Sequence, residues 1–509
     1  MMKKFFACIS LTLVLLCPAF VAQANVTLHG LFTDNMVLQC DAPAAIWGWA
    51  DDGEAVTVEF HGQKAKATAK NGQWLVKLKK LKADGKGSDL KVTSKSSDIV
   101  LRNVVVGEVW IASGQSNMEM ALWGCQDAEK DIAAAANPNI RLYTVPRLRA
   151  EQPTNNVNAV WLECKPESVK PFSGVAYYFA RDLEKALNVP IGIIHTSWGG
   201  SPAEAWMSEK ALARNSGYQR DILDPFSEQL EKYQSALAQF EKQQAQAKAE
   251  NKPFTKRRPG SPWRPADLYN GMIAPLLPYT IAGAIWYQGE SNAGRAWQYR
   301  TLFPDMIKNW RRDWALGNFP FLLVQLAPYT KVLDQPAESD WAELREAQLL
   351  STKVLPKAGM AVITDVGNPT NIHPTVKAPV GARLALAARA IAYGEKIVYS
   401  GPVYKKMKVK EGKAILSFEN VGTGLEARDG ELKGFAIAGE DRKFVWAKAE
   451  IENNQVVVSS EEVSQPVAVR YGWANCPVVN LWNKNGLPAT PFRTDDFPMK
   501  TQPKPAESK

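Results

Sequence analysis

The chain has 509 residues, 46% hydrophobic and 22% charged, the balance of a soluble globular protein. Its formal charge of +9 is spread along the chain, with no basic stripe interleaved with aromatics, which argues against nucleic-acid binding. The length suits roughly three domains, and no stretch reaches the ~20 apolar residues of a membrane-crossing helix.

Lys3 and Lys4 precede an apolar stretch from Phe5 to Cys17, followed by Ala22-Gln23-Ala24, a small-x-small cleavage pattern. Residues 1–24 therefore read as a signal peptide, and the mature chain as exported, periplasmic or extracellular. Lipidation at Cys17 fits less well, because Leu15-Leu16 replaces the small residues expected before a lipidated cysteine. Of six cysteines, Cys40, Cys125, Cys164 and Cys476 survive cleavage, too few and too scattered for a disulfide scaffold or a metal-binding pair. Export permits a disulfide; Cys125 with Cys164 is one candidate, and free buried thiols are the alternative.

Residues 25–106 look all-β. Trp47, Trp49, Val56, Val58 and Phe60 alternate around Asp51-Asp52-Gly53, and Asn71-Gly72 marks a hairpin. Residues 402–498 repeat this character in KAILSFENV, GFAIAG, KFVWAKAEI and QVVVSS, which suggests a second β-sandwich, with residues 499–509 as a disordered tail.

Residues 107–401 differ. Apolar runs recur at Val104–Ala112, Ile191–Thr196, Ile281–Tyr287, Phe321–Leu326 and Met360–Thr364. Between them lie amphipathic stretches at Gly174–Leu187, Tyr299–Trp314, Asp340–Thr352 and Pro379–Ala392. Near-continuous apolar strands alternating with helices imply an α/β fold with a parallel sheet covered on both faces. Residues 207–265 read as a helical insertion, with Leu230, Tyr233, Leu237 and Phe240 on one face and a solvated basic loop after it.

In parallel sheets, ligands gather beyond the carboxyl ends of the strands. Past these runs come Ser113-Gly114-Gln115-Ser116, Ser197-Trp198-Gly199-Gly200, Gln288-Gly289-Glu290-Ser291-Asn292 and Asp365, polar segments that converge on one edge. Only four histidines exist. His29 and His61 fall in β-rich segments and His195 inside an apolar run, which suits structural roles. His373, in NPTNIHPT after the last central strand, is the candidate base. Serine is a weak nucleophile until a neighbouring base takes its proton, and acyl transfer needs donors aimed at the developing oxyanion. Ser116 supplies a hydroxyl and an N–H, the glycines at 199 and 200 permit a close backbone N–H, and Asn292 offers an amide. Met118 breaks the G-x-S-x-G pattern, which argues against the usual α/β-hydrolase elbow.

GQSN after a strand, WGGSPAEAW, WYQGESN and a late IHP together resemble the sialate O-acetylesterase family of SGNH-type hydrolases, related to acetyl xylan esterases. LHGLFTDNMVLQ and GLPATPFRTDDFP extend the resemblance to both flanks. It implies a central SGNH-hydrolase-like sheet flanked by N- and C-terminal β-sandwich domains. It also implies Ser116 as nucleophile, His373 as base, and Ser116, Gly200 (or Gly199) and Asn292 as the oxyanion hole. Gln115, Asn117 and Gln288 would line the substrate site. The acid supporting His373 stays open: three residues before it stands Thr370 rather than aspartate, so Glu290 or Asp365 takes the role, or the site is close to a dyad. The implied substrate is an O-acetylated carbohydrate, foremost O-acetylated sialic acids, with acetyl xylan or another polysaccharide as the alternative. No cofactor or metal is implied. A non-catalytic glycan-binding protein would leave Ser116, Asn292 and His373 without purpose. A glycoside hydrolase would use facing carboxylates among Glu204, Glu290 and Asp365, and would leave the serine unexplained.

Overall fold

The computed structural model describes residues 25–504; the signal-peptide segment and residues 505–509 lie outside them. At its centre is a mixed sheet of seven strands: β1 (Asp98–Gly114), β2 (Asn137–Thr144), β3 (Leu162–Cys164), β4 (Ile191–Ser197), β5 (Gly283–Tyr287), β6 (Phe321–Val324) and β7 (Ala358–Ala361). Their order is β3-β2-β4-β1-β5-β6-β7, and every pair is parallel except β3 with β2. Five of these strands match the apolar runs of the sequence. β2 does not announce itself, because Arg141 interrupts it; that side chain is buried and donates to the carbonyls of Pro138, Asn35 and Asn103.

Alternate residues of β1 face opposite layers, as a pleated strand requires. Trp110 and Ala112 pack with Phe179, Leu183, Leu384 and Ala388 from helices α2 (Gly174–Leu187) and α6 (Ala378–Ile391). Val109 and Ile111 belong to the opposite core, with Phe303, Ile307, Trp310 and Leu344 from α4 (Ala296–Trp314) and α5 (Asp340–Val354). Helix α2 starts where the Ser173 hydroxyl accepts the Ala176 N–H, and ends at Asn188 in the left-handed conformation, a paired start and stop signal.

Strand β1 does not begin at residue 107. Its first half pairs with Asp84–Thr93 and Val37–Gln39 of the N-terminal sheet, and its second half with β4 and β5. The expected boundary at residue 106 therefore falls inside one continuous strand. The C-terminal region forms two four-stranded sheets and one three-stranded sheet around Leu416, Phe435, Val456, Val469 and Phe492. It is fastened to the central layer by Arg345, whose guanidinium donates to the carbonyls of Ala474 and Asn475 at 2.7 and 2.9 Å. Residues 499–501, expected in the tail, are bound: Glu343 accepts the N–H groups of Lys500 and Thr501.

In the insertion, α3 (Phe226–Ala249) has no fully buried residue. Its apolar face is only half covered, by the returning strap, where Phe254 meets Phe240 edge-on at 5.2 Å. The four described cysteines are free and buried, which corrects the Cys125–Cys164 pairing: the Cys125 and Cys164 thiols donate to the Ala121 and Ala135 carbonyls instead.

Candidate active site

Strands β1, β4 and β5 end in register, Gly114 opposite both Ser197 and Tyr287. At Gly114 the chain turns with φ +139°, and a Cβ there would lie 2.1 Å from the Tyr287 carbonyl oxygen, so only glycine fits. Two residues later α1 (Ser116–Glu119) begins. This turn lifts Ser116 off the sheet edge into a cavity of about 700 Å³, shared with Glu119, Trp123, Arg147, His195, Ser197 and His373.

His373 approaches from the loop after β7. Its Nε2 lies 2.7 Å from Ser116 Oγ, within hydrogen-bond reach of a proton transfer. Burial, and next the Lys377 ammonium, hold the imidazole below the usual histidine pKa, so it is neutral and able to accept a proton at neutral pH.

No carboxylate hydrogen-bonds this imidazole among the described residues. Asp365 is engaged bidentately by Arg383 at 2.6 and 2.7 Å. Glu290 Oε1 accepts from Asn117 Nδ2 at 2.6 Å, and the same amide nitrogen donates to the carbonyl of Ile372, beside His373, at 3.0 Å. The amide oxygen of Asn117 accepts from Lys377 Nζ at 2.6 Å. Burial raises the Glu290 pKa, and burial lowers that of Lys377 to about 8. Asn117 thus spans a buried carboxyl and a buried amine while gripping the histidine loop.

The other polar residues expected to meet substrate are also occupied within the protein. Gln288 is fully buried; its oxygen accepts from Tyr299 and its nitrogen donates to the Ser201 carbonyl and to Asn292. Gln115 is buried, and its oxygen accepts the Ser291 N–H. Asn292, expected in the oxyanion hole, accepts from Ala203 N–H and donates to Glu204 at 3.0 Å, and it is 1% exposed. These side chains brace the WGGSPAEAW and QGESN segments against each other beneath Ser116. The Gly199 N–H is taken by Glu119 Oε2 at 2.5 Å. The N–H groups of Ser116 and Gly200 carry no protein hydrogen bond among the described residues, and Gly200 stands at φ +76°. Glu204, Glu290 and Asp365 each have a protein partner, so the site offers no facing pair of free carboxylates.

His195 lies in the cavity wall with Nε2 2.6 Å from Ser197 Oγ, and burial lowers its pKa to about 4. His29 is buried against Trp47 and Trp49, and His61 stacks on Phe60 in a turn. Sequence reasoning passed over Lys377, Glu119 and Arg147. Of these, Glu119 carried a signal: it follows Ser116 by three residues in a helical turn, which places both on one side.

A serine–histidine pair at the carboxyl edge of a largely parallel sheet is an arrangement that acyl transfer can use, and comparison with known proteins gives the class. Residues 260–391 match a family model described as carbohydrate esterase, sialic acid-specific acetylesterase. The sialate O-acetylesterase of Rattus norvegicus is 30% identical over 516 residues, 91% of this chain and 93% of that protein. The Homo sapiens sialate O-acetylesterase is 30% identical over 514 residues, covering 90% of each. A crystal structure of a carbohydrate acetylesterase from Xanthomonas citri is 40% identical, with a TM-score of 0.80 over 93% of this chain and 100% of that one. The chain belongs to the sialate O-acetylesterase family and is an esterase of that kind.

Proposed function

We propose that the protein is an exported serine esterase of SGNH type that removes O-acetyl groups from carbohydrates, foremost O-acetylated sialic acids, through an acetyl-serine intermediate. The observation that carries this reading is the 2.7 Å separation of Ser116 Oγ and His373 Nε2 in a cavity at the strand ends. Ser116 Oγ attacks the acetyl carbonyl carbon while His373 Nε2 accepts the hydroxyl proton. The Ser116 and Gly200 N–H groups stabilise the tetrahedral oxyanion. Collapse breaks the ester bond, and the proton passes from His373 to the departing sugar oxygen. Water then attacks the acetyl-enzyme with His373 again as base, and acetate leaves. In place of an aspartate on the imidazole, Asn117 holds the histidine loop, so the reacting pair is a dyad with Glu290 and Lys377 behind it.

A wider reading, acetyl xylan or another polysaccharide as substrate, is supported by the 40% identical Xanthomonas citri carbohydrate acetylesterase. Acetate release from a panel of O-acetylated sialic acids and acetylated xylo-oligosaccharides separates the two. Reaction of the xylan members alone would overturn the sialate reading, and unchanged turnover in Ser116→Ala would overturn the mechanism.

A further inference from the structure

The cavity around Ser116 has a wall that the serine–histidine chemistry does not use. Trp123 stands at its rim with 64% of its surface exposed, unusual for so large an apolar side chain. Glu119 is held in place on both carboxylate oxygens, Oε2 by the Gly199 N–H and Oε1 by Arg147. The Arg147 guanidinium lies 5.6 Å from the Trp198 ring, and Trp198 is buttressed edge-on by Trp263 at 5.6 Å. The insertion strap, through Trp263, therefore fixes the cation that fixes the carboxylate.

A carboxylate has about four acceptor positions. Gly199 and Arg147 are its named partners, and the partly exposed Glu119 side chain opens to the cavity. Arg147, the one arginine or lysine lining the cavity among the described residues, is neutralised by Glu119. This wall therefore offers acceptors to hydroxyl groups. It is also close to the reaction: a Cβ placed on Gly199 would lie 3.0 Å from Glu119 Oε2 and 3.2 Å from Ser116 Cβ. Glu119 Oε2 and Ser116 thus flank the same glycine.

We propose that Glu119 receives the free hydroxyl adjacent to the acetylated one, on a sugar whose apolar face rests on Trp123. The site is then selective for vicinal diols carrying a single acetyl group. This rests on the carbohydrate-esterase reading above. A doubly acetylated neighbour has no hydrogen to donate and leaves the carboxylate facing an ester, which a site built for a hydroxyl rejects strongly.

The test compares kcat/KM for a methyl glycoside bearing one acetyl beside a free hydroxyl, the same glycoside with both positions acetylated, and p-nitrophenyl acetate. Wild type is expected to prefer the monoacetate over the diacetate by about 10–100-fold, the worth of a hydrogen bond to a charged acceptor. Glu119→Ala is expected to reduce that preference to within about threefold, with Glu119→Gln between the two. Trp123→Ala, at an exposed site, is expected to raise KM for both sugar esters relative to p-nitrophenyl acetate. Equal use of monoacetate and diacetate by wild type overturns the inference alone. So does an unchanged preference in Glu119→Ala, or a parallel fall of all three substrates, which would mean that Glu119 only braces Gly199. If wild type cleaves p-nitrophenyl acetate but no sugar ester, the carbohydrate reading falls first and this inference with it.

Discussion

Lys377 Nζ donates to Asn117 Oδ1 at 2.6 Å in the interior; Lys377 follows His373 by four residues, and Asn117 follows Ser116 by one. An amide can sit either way round in density or in solution, but an ammonium group on one side admits only the oxygen. With the oxygen fixed, the nitrogen must face Glu290 and the Ile372 carbonyl. The cation thus decides where the His373 loop is held, although it touches neither Ser116 nor His373.

Replacing that cation by a neutral chain of similar length, Lys377→Met, frees the Asn117 amide to turn. Turnover of p-nitrophenyl acetate is expected to fall about 10–100-fold, in line with loss of a positioning contact, with KM nearly unchanged. The same substitution removes a positive neighbour that disfavours imidazolium. The groups around His373 are Ser116 at its Nε2, Lys377 and Glu290 beneath, and Glu119 and Arg147 across the cavity as a neutralised pair. The base is active when neutral, so the ascending limb of the kcat/KM profile is expected to move to higher pH. A purely structural lysine would lower the melting temperature and leave that limb in place.

Asp365 and Glu290 separate by what their removal disturbs. Asp365→Asn takes the bidentate partner from a largely buried Arg383, and is expected to cost about 1–3 kcal/mol in urea unfolding, with kcat within about threefold. If Asp365 carried the imidazole as a triad acid, kcat would drop about 10⁴-fold instead. Glu290→Ala leaves the Asn117 amide nitrogen short of an acceptor, and is expected to lower kcat about 10–100-fold while costing about 1–3 kcal/mol in urea unfolding.

His195 is neutral in the folded state, with its pKa depressed to about 4 from 6.5 by burial. Between these values the unfolded chain binds the extra proton, so stability is complete above about pH 6.5 and declines as pH falls toward 4. The contribution lost by pH 4.5 is about 2–3 kcal/mol. Urea melts at pH 7 and 4.5 are expected to show a smaller acid loss in His195→Asn than in wild type.

Gly114→Ala places a methyl group 2.1 Å from the Tyr287 carbonyl at a backbone φ of +139°. Neither the strand nor the turn can yield without moving Ser116. The variant is expected to lose more than about 3 kcal/mol and most of its esterase activity, measured on the fraction that remains folded.

The central strands and helices were legible because their apolar residues recur with periods that local geometry enforces. Asn137–Thr144 was not, because a buried arginine satisfied by carbonyls looks like a surface residue in sequence. Ser116 and His373 were legible by position, since each follows the carboxyl end of a strand. The hydrogen bonds that Gln288 and Asn292 make within the protein were not legible in the same way. A polar residue at a strand end can face a ligand or brace its neighbours, and only the hydrogen-bond partners distinguish the two. Lys377 left no trace because one lysine among 61 basic residues has nothing local to mark its burial.

Asp98–Gly114 is a single strand of 17 residues that starts in the N-terminal sheet and ends two residues before Ser116. Its one irregularity is Asn103 at φ +55°, where the pairing with Asp84–Thr93 shifts register; from Val104 to Gly114 the same backbone serves first the N-terminal sheet and then the central one. The N-terminal region is consequently not an accessory that can be trimmed or exchanged while the esterase is kept. Its removal would leave Val104–Val106 as bare edge backbone inside the stem of the active site.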